Sequence, residues 1–450
     1  MEVEDAEVKK DHENRSGTIL ITAMWVVLVL AGLALVLARS MREEATASAN
    51  HCSAIQAQAV AQGAAQFVLA QVALADGEAL DVLEVPCAAR QVGEGYFWIL
   101  HSNLDEDTSY SYGITDEAAK ININYVPADM LLNLPRMTSD LADSIEDWRD
   151  TDSDVSPSGA EDEYYLLLPK PYYCKNDRFE TVEELFLVNG ATEEIIYGED
   201  RNLNGVLDEN EDDNADGRLD PGLYDYATVY SREPNVTETG EDRVNVNERG
   251  SQELSQLLRG VVPEDRYFQV MDRVRSRRPF RNAVDFYFKT GLQPSEFEQI
   301  ADRITTSDDE RLEGRININT APREVFMCLP GLDESDVEAL LSNRNEDDTD
   351  SGTIAWVADV LEPEKAVEVG DYITTRSYQF SADIVSVSRD GRAFKRFRLV
   401  VDAISGIPRI VYWKDLTHAG WPLDPEILSC LRSGVSLEEA GLATIEERQS

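Results

Sequence analysis

The chain has 450 residues, 42% hydrophobic and 28% charged, which predicts two or three packed domains and excludes global disorder. Its 86 acidic residues against 41 basic ones give a formal charge of −45, which disfavours binding to nucleic acids and anionic membranes and favours hard cations held by oxygen ligands. The histidines and cysteines form no HExxH or CxxC pair, and no GxSxG or GxxxxGK[ST] motif occurs, so we expect neither an enzyme nor a cysteine-bound zinc.

An uncharged apolar segment, Gly17–Ala38, lies near the N-terminus. At about 1.5 Å per residue, a helix of this length crosses the roughly 30 Å apolar core of a bilayer. The Ala- and Gln-rich segment Glu43–Ala75 has no proline and one glycine, so we predict one helix over residues 18–75 that is transmembrane at first and exposed to water later. The alternative is a single-span anchor followed by a separate helix.

The polar leader, residues 1–17, ends in Arg15-Ser16-Gly17 directly against this apolar segment. It resembles a type IV prepilin signal, although it is acidic where such leaders are usually basic. The resemblance implies cleavage by prepilin peptidase after Gly17 and methylation of the new N-terminal residue, Thr18. The fifth mature residue would be Thr22, where most pilins carry glutamate.

A basic–apolar–Asn motif occurs three times, as KININ over residues 120–124, RVNVN over 243–247 and RININ over 315–319. The first and third copies keep an offset of 195 residues beyond the motif, which indicates an internal repeat. Each copy is predicted to lead into two helices. In the third copy Thr320 is expected to cap the first helix, Pro322 to occupy its first turn, and Pro330-Gly331 to separate the two.

This arrangement resembles a helix-hairpin-helix unit, whose nucleic-acid-binding versions present backbone N–H groups of a Gly-rich hairpin to a phosphate. Here the hairpin carries Asp333 where a second glycine is expected, and the first copy has no hairpin glycine. With a charge of −45, these hairpins favour a packing or partner-binding role and no nucleic-acid partner.

The most specific pattern lies between residues 95 and 190. Its landmarks are Gly113-Ile114-Thr115-Asp116-Glu117, then Ser144 to Asp152 around Trp148, Gly159-Ala160-Glu161, Tyr164-Tyr165, Tyr172, Asn176 and Glu183-Glu184-Leu185. In order and spacing they resemble the K-type minor pseudopilin of the type II secretion system.

That resemblance implies a small α-helical domain inserted into a pilin-like scaffold, and a role in capping the periplasmic pseudopilus and initiating its assembly. It implies a single-pass protein of the inner membrane with its large domain in the periplasm. The implied partners are the I- and J-type minor pseudopilins, the major pseudopilin and prepilin peptidase. K-type subunits typically lack the fifth-position glutamate, which agrees with Thr22 and with a subunit that has no neighbour above it.

Two consecutive acidic segments match the ligand pattern of calcium loops, in which oxygen ligands alternate around a glycine at position 6. The first loop supplies Asp200, Asn202, Asn204, the Val206 carbonyl, Asp208 and Glu211, with Gly205 at the turn. The second supplies Asp212, Asn214, Asp216, the Arg218 carbonyl and Asp220, with Gly217 at the turn. Its position 12 is Leu223, which cannot bind, so Asp225 is the candidate replacement. We predict structural Ca²⁺, and the alternative is a solvated acidic loop.

Near the C-terminus, alternating apolar and polar residues predict three antiparallel strands over 373–388, 392–404 and 407–414. The predicted class is therefore α+β: a long N-terminal helix, a pseudopilin sheet and a large inserted helical domain with helix-hairpin-helix-like repeats. The predicted divisions are leader 1–17, helix 18–75, first strands 76–118, insertion 119–314, helix-hairpin-helix-like repeat 315–371, C-terminal sheet 372–416 and tail 417–450.

The predicted function is that of a non-enzymatic minor pseudopilin. One alternative is a membrane-anchored helix-hairpin-helix DNA receptor of the competence type, which the charge disfavours. A calcium-dependent enzyme or a cargo-binding protein is a second alternative.

Overall fold

The computed structural model describes residues 2–75, 85–102, 110–208, 210–344 and 352–442, and its class is α+β as predicted. Parts of the predicted first-strand, repeat and tail segments lie outside the described residues, namely 76–84, 103–109, 345–351 and 443–450. The helices are α1 (Glu2–Ala75), α2 (Ala128–Leu131), α3 (Ser139–Arg149), α4 (Asp162–Tyr165), α5 (Glu193–Tyr197), α6 (Leu223–Tyr226), α7 (Gln252–Val261), α8 (Glu264–Ser276), α9 (Ala283–Thr290), α10 (Pro294–Ala301), α11 (Arg323–Phe326), α12 (Glu334–Asn343), α13 (Val357–Val360), α14 (Pro363–Val369) and α15 (Pro425–Ser433). The strands are β1 (Arg90–Val92), β2 (Gly95–His101), β3 (Ser111–Tyr112), β4 (Thr115–Asp116), β5 (Ile121–Asn122), β6 (Ala227–Thr228), β7 (Arg232–Pro234), β8 (Val244–Asn245), β9 (Ile304–Thr305), β10 (Arg311–Glu313), β11 (Ile316–Asn317), β12 (Ile373–Thr374), β13 (Gln379–Val387), β14 (Phe394–Asp402) and β15 (Arg409–Asp415).

Helix α1 spans 74 residues, about 110 Å, and begins at Glu2 rather than at the predicted Thr18. Residues 1–17 contain no proline and include four glutamates and two lysines, so their sequence does not stop a helix upstream of Gly17. The large apolar side chains between Ile19 and Leu37 are exposed. The segment Ile19–Ala75 is long and apolar enough to cross a membrane.

The C-terminal half of α1 packs against the sheet. Residues spaced by three or four positions form one buried stripe, which comprises Ala57, Val60, Ala61, Ala64, Val68 and Val72. A Cβ atom on Gly63 would lie 2.9 Å from Val92 Cγ1, so glycine lets β1 approach the helix closely. The helix predicted as one element is therefore apolar and exposed at its start and part of the protein core at its end.

The main sheet has the order β1-β2-β13-β14-β15, with β3 paired to β2 and β4 paired to β13, all antiparallel. The α1 face contributes Phe97, Ile99, Phe380, Ile384 and Leu399 to one core. The opposite face is covered by α15 and the residues around it, whose side chains pack on Trp98, Val385 and Val387. The central strands β2 and β13 are thus buried on both faces, and the edge strand β15 is partly exposed.

The three predicted C-terminal strands are confirmed as β13, β14 and β15 in antiparallel order. Ile373 and Thr374, which the sequence assigned to the first of them, instead form β12 and pair with β11. Helix α15 lies in the tail, where the sequence analysis predicted no element. Its Ile427 and Leu431, one helical turn apart, are buried against the sheet, and Asp424 caps its N-terminus.

The insertion lies between β4 and β13 and contains α2 to α14. A single hydrophobic core includes residues from Ile121 to Ile373, and so joins the predicted 119–314 and 315–371 segments. Side chains of all three motif copies, including Ile121, Val246 and Ile316, are buried in this core.

The three motif copies adopt the same local structure. In each, a two-residue strand pairs in parallel with a later two-residue strand that ends in threonine: β5 with β6, β8 with β9, and β11 with β12. In each, the first Asn Oδ1 accepts from the backbone N–H of the second Asn, for Asn122 at 3.0 Å, Asn245 at 2.8 Å and Asn317 at 2.9 Å. The first Asn Nδ2 also donates to the third residue after that threonine, namely Ser231, Asp308 and Ser377. The motif therefore fixes the pairing of each copy with its returning segment.

The offset between the first and third copies is also structural. Arg149 donates to the Val126 carbonyl, and Arg344 donates to the equivalent Ala321 carbonyl. An internal repeat accounts for both contacts.

Candidate functional site

The two acidic loops lie together between α5 and α6, on a segment closed at its base by a bridge between Gly198 and Pro221. Glu199 holds the pair together, because its carboxylate accepts from the N–H groups of Asp213 at 3.1 Å and Asp220 at 3.0 Å. Glu199 is 2% exposed. It was absent from the predicted ligands, although it directly precedes Asp200.

The first loop is wound around its acidic residues at positions 1 and 12. The Asp200 carboxylate accepts from the N–H groups of Asn204 at 2.8 Å and Gly205 at 2.7 Å, with Gly205 at a φ of 75°. The Glu211 carboxylate accepts from the N–H groups of Asn202 and Asp208, both at 3.3 Å. The backbone therefore curls around these two carboxylates, as a cation-binding loop requires.

Electrostatics around the first loop favour a cation. Asp200 is 2% exposed, and its burial, with the charges of Asp225 and Glu211, raises its pKa to about 7. Among the described residues, the buried Oδ1 atoms of Asn202 and Asp212 have no hydrogen-bond partner. Buried acceptors without donors are costly, and a cation would satisfy both the charge and the lone pairs.

The described arrangement does not gather all the predicted ligands around one point. The amides of Asn202 and Asn204 donate to Asp208 Oδ2 at 2.6 Å and 3.3 Å, and the Val206 N–H donates to Asn204 Oδ1 at 3.0 Å. No group of three His, Cys, Asp or Glu residues in the described part of the chain is arranged to hold a metal. The residue types and their order around the loop match a calcium site. The side chains of Asn202 and Asn204, however, form hydrogen bonds with other residues of the loop.

The second loop has the same backbone pattern in a different environment. Asp212 accepts from the Gly217 N–H at 3.3 Å, Asn214 from the Asp216 N–H at 2.8 Å, and Asp216 from the Arg218 N–H at 2.8 Å. Its residues from Asp213 to Arg218 are exposed. The second loop is therefore a surface loop.

Asp220, its last predicted ligand, is already paired. The Arg136 guanidinium lies 3.0 Å from Asp220 Oδ2. Leu223 is buried in the core, and Asp225 lies beside Asp200 and accepts from Ser102 Oγ at 2.7 Å. Asp225 therefore contributes its charge to the first loop, and its role as a ligand of the second loop stays a prediction.

The first loop also joins the insertion to the main sheet. Arg396 on β14 is fully buried, and its guanidinium donates to the carbonyl groups of Asn202 and Leu203. Asn204 Nδ2 donates to the Pro422 carbonyl at 3.2 Å, and a Cβ on Gly205 would lie 3.1 Å from the His101 carbonyl oxygen. Arg396 could not be identified from the sequence, because its position in a predicted strand does not indicate a partner in a distant loop.

The landmarks of the 95–190 pattern form an aromatic core around Trp148. Its ring lies 5.2 Å from that of Tyr165 and 6.5 Å from that of Phe179, and its Nε1 donates to Glu184 Oε1 at 3.2 Å. Lys175 pairs with the same Glu184 carboxylate at 2.8 Å. The spacing of these landmark residues therefore reflects their packing around Trp148.

The third hairpin is closed by its own acidic residue. Gly331 has a φ of 72°, and Asp333 caps α12 by accepting from the N–H groups of Ser335 and Asp336 at 3.0 Å and 3.2 Å. The Ser335 hydroxyl and Lys365 hold the pKa of Asp333 below its usual range. A carboxylate occupies the helix N-terminus where a phosphate would bind, which disfavours nucleic acid at this hairpin.

The predicted start of that repeat needs one correction. Pro322, not Thr320, is the residue that precedes α11. The Thr320 hydroxyl donates to Asp116 Oδ2 at 2.6 Å instead. Asp116 is buried and also accepts from Ser377, so Thr320 ties the third repeat to β4.

The predicted processing site, Gly17 and Thr18, lies inside α1 at the start of its apolar part. The Thr22 hydroxyl donates to the Ile19 carbonyl at 2.9 Å, within the same helix. The position that carries glutamate in most pilins is thus occupied here by an uncharged side chain.

Part of this chain is similar to a family model, and the chain is similar to solved structures. Residues 128–197 match the family model for type II secretion system (T2SS) protein K. A chain of the crystal structure of the GspK-GspI-GspJ complex from the T2SS of enterotoxigenic Escherichia coli is similar over 80% of this chain and 95% of that one, with 14% sequence identity and a TM-score of 0.42. No curated protein matches this chain.

Proposed function

We propose that the chain is a member of the protein K family of the type II secretion system, and that it is the minor pseudopilin that caps the pseudopilus tip and helps to initiate its assembly, because residues 128–197 match the model of that family. The family match carries this proposal, because it covers the Trp148 core on which the predicted resemblance depends. The role is one of assembly, and no chemical step is assigned to the chain.

The architecture supports a place at the tip. Helix α1 offers an exposed apolar half to a membrane or to neighbouring helices, while its other half is fixed to the sheet. Thr22 has no carboxylate with which to pair with a neighbour's terminal amine. The insertion between β4 and β13 is far larger than the sheet itself, as suits a terminal subunit.

We place the chain in the inner membrane as a single-pass protein, with the sheet and the insertion in the periplasm. Prepilin peptidase would cut after Gly17, and methylation would follow at Thr18. Its neighbours would be the I- and J-type minor pseudopilins and, further down the filament, the major pseudopilin.

Calcium is proposed as a structural ion of the first loop. It would be held by Asp200, Asn202, Asn204, the Val206 carbonyl, Asp208 and Glu211. The buried Asp200 and the half-buried Asp225 beside it support this proposal, because two carboxylates shielded from water repel each other unless a cation lies between them. The second loop would bind more weakly, since Arg136 competes for Asp220.

Co-purification tests the function. The full chain is expressed with the I- and J-type pseudopilins of its own system and extracted in neutral detergent. The proposal expects a ternary complex in which the chain begins at Thr18. A chain that purifies alone and begins at Met1 would overturn it.

The DNA-receptor alternative is tested in parallel by filter binding of double-stranded DNA at low salt, where electrostatic binding is strongest. We expect no retention. Retention that Asp333→Gly strengthens would favour the receptor, since that change removes the carboxylate from the hairpin.

A further inference from the structure

The middle repeat carries an excess of positive charge within a strongly acidic chain. Residues 249–281 contain eight arginines and four acidic residues, whereas the whole chain has a formal charge of −45. Other arginines of the insertion are paired with acids, for example Arg243 with Glu233 and Asp302, and Arg266 with Glu296. Arg249, Arg259, Arg275 and Arg278 form no ion pair with any described residue.

Three of these unpaired arginines line one groove. It lies between the start of α7 and the end of α8, has a volume of about 310 Å³, and includes Arg259, Arg275 and Arg278 with Gly250 and Ser255 in its wall. The groove is at the end of the helix pair away from the 262–263 turn, so it is not the hairpin of a helix-hairpin-helix unit.

The arginines of the groove are held close together at an electrostatic cost. Burial and the charges of Arg249 and Arg275 lower the pKa of Arg278, with Glu248 as the opposing acid. Arg278 Nε is buried and has no hydrogen-bond partner among the described residues. The Arg259 guanidinium lies 5.1 Å from the centre of the Tyr267 ring, whose hydroxyl is 2.7 Å from Ser255 Oγ. Three arginines with a single acid, Glu248, acting on Arg278 leave the groove with a net positive charge, which favours an anion.

The equivalent place in the first repeat lacks this charge. Asn124 and Asn247 bond in the same way to the backbone of Phe179 and Phe280, which aligns Asp177 with Arg278. Aligning the motifs also places Val126 opposite Arg249. The shared fold therefore does not require these arginines, and a ligand gives them a role.

We propose that this groove binds a small phosphate-bearing anion. A dianionic phosphate neutralises several guanidinium groups better than a single carboxylate does, and its oxygens match the planar N–H pairs of arginine. The volume is at the lower end for small-molecule sites. The acidity of the remaining surface opposes long polyanions such as nucleic acid. This site is independent of the proposed role in secretion.

Titration of the full chain in neutral detergent with inorganic phosphate, at constant ionic strength set by chloride, tests the proposal by calorimetry. We expect saturable binding to one site. The double change Arg275→Gln/Arg278→Gln should weaken it by about tenfold or more, because it removes two of the three guanidinium groups that line the groove. Arg409→Gln is the matched control, because Arg409 is an exposed arginine without an ion pair on β15 among the described residues. Its affinity should match that of the wild type.

Two further arms identify the source of the phosphate. Glycerol phosphate that binds more tightly than inorganic phosphate indicates a lipid headgroup, and equal binding indicates the free ion; both support the site. No saturable phosphate binding, or equal binding by the double variant with an unchanged melting temperature, would overturn the proposal. A poly-glutamate peptide that binds where phosphate does not would replace it with docking of an acidic protein.

Discussion

The two acidic loops match the same ligand pattern, yet the structure gives them different roles. The first is buried, winds around Asp200 and Glu211, and is held to the sheet by Arg396. The second is exposed, and its last acidic residue is paired with Arg136 on the insertion. One loop joins two parts of the molecule, and the other lies at its surface.

This difference shows that a ligand pattern predicts which residues can bind a cation. The burial of the loop determines whether that binding stabilises the whole fold or only the loop. In a buried junction, an ion adds its binding free energy to the attachment of the insertion to the sheet. In an exposed loop the same ion would affect local order. The predictions below test that distinction, from the largest effect to the smallest.

The largest effect is expected from Arg396→Met, which keeps the volume of the side chain but leaves two buried carbonyl groups without donors. Each such loss costs roughly 1–3 kcal/mol, so the free energy of unfolding should fall by about 3 kcal/mol. Urea denaturation of the full chain in detergent, followed by tryptophan fluorescence, measures it. Arg409→Met on the neighbouring strand is the control, with an expected change within about 0.5 kcal/mol. Equal effects would mean that Arg396 does not anchor the loop.

Calcium should stabilise the wild-type chain through the first loop. At a free concentration one hundred times its Kd, an ion that binds only the folded state adds about 2.7 kcal/mol. Chelation should remove this gain. Asp200→Asn should abolish it, and Asp216→Asn in the second loop should retain most of it. Thermal melts with calcium and with chelator make the comparison; dependence on Asp216 instead of Asp200 would reverse the roles of the loops.

The raised pKa of Asp200 predicts that the free energy of unfolding depends on pH in the absence of calcium. Its pKa is about 7 in the folded chain and near 3.8 when unfolded, so between these values the folded state keeps a proton that the unfolded state releases. The contribution of this group to the free energy of unfolding therefore falls as pH rises through that window and levels off above it. Denaturation in chelator across the window should show a shallower fall for Asp200→Asn. Identical slopes would show that this carboxylate is not protonated in the folded chain.

The smallest effect on stability is expected from Arg136→Gln. The ion pair with Asp220 is partly exposed, with side chains 27% and 48% accessible, so its loss should cost less than about 1 kcal/mol. Freeing Asp220 should raise the calcium affinity of the second loop. A calcium titration by calorimetry would then show a second binding phase, and an unchanged isotherm would show that this pair does not limit the loop.

The sequence predicts well those elements whose cause is local. Helix α1 follows from a long run without proline, and β13 to β15 follow from segments rich in β-branched and aromatic residues that partly alternate with polar ones and are separated by turns. The order of ligands in the first loop follows from spacing around Gly205. The recurring Asn motif was visible in the sequence, but its function was not.

What the sequence does not predict depends on distant partners. The motif strands pair with Thr228, Thr305 and Thr374, far along the chain, in parallel strands only two residues long. Strands of two residues are too short to show the alternation of apolar and polar residues from which strands are predicted. Arg396 has an ordinary place in a strand pattern, and only the fold brings it to the first loop. The start of α1 was predicted incorrectly for another reason. The helix was predicted to begin after the processing motif at Gly17, although the sequence of residues 2–17 also favours a helix.

Hydrogen–deuterium exchange of the full chain, with calcium and with chelator, tests most directly the claim that calcium in the first loop joins the insertion to the sheet. We predict that calcium slows exchange both in residues 199–208 and in the segments that contact them, around His101, Arg396 and Pro422. Protection confined to residues 212–220, or no change on chelation, would contradict this account.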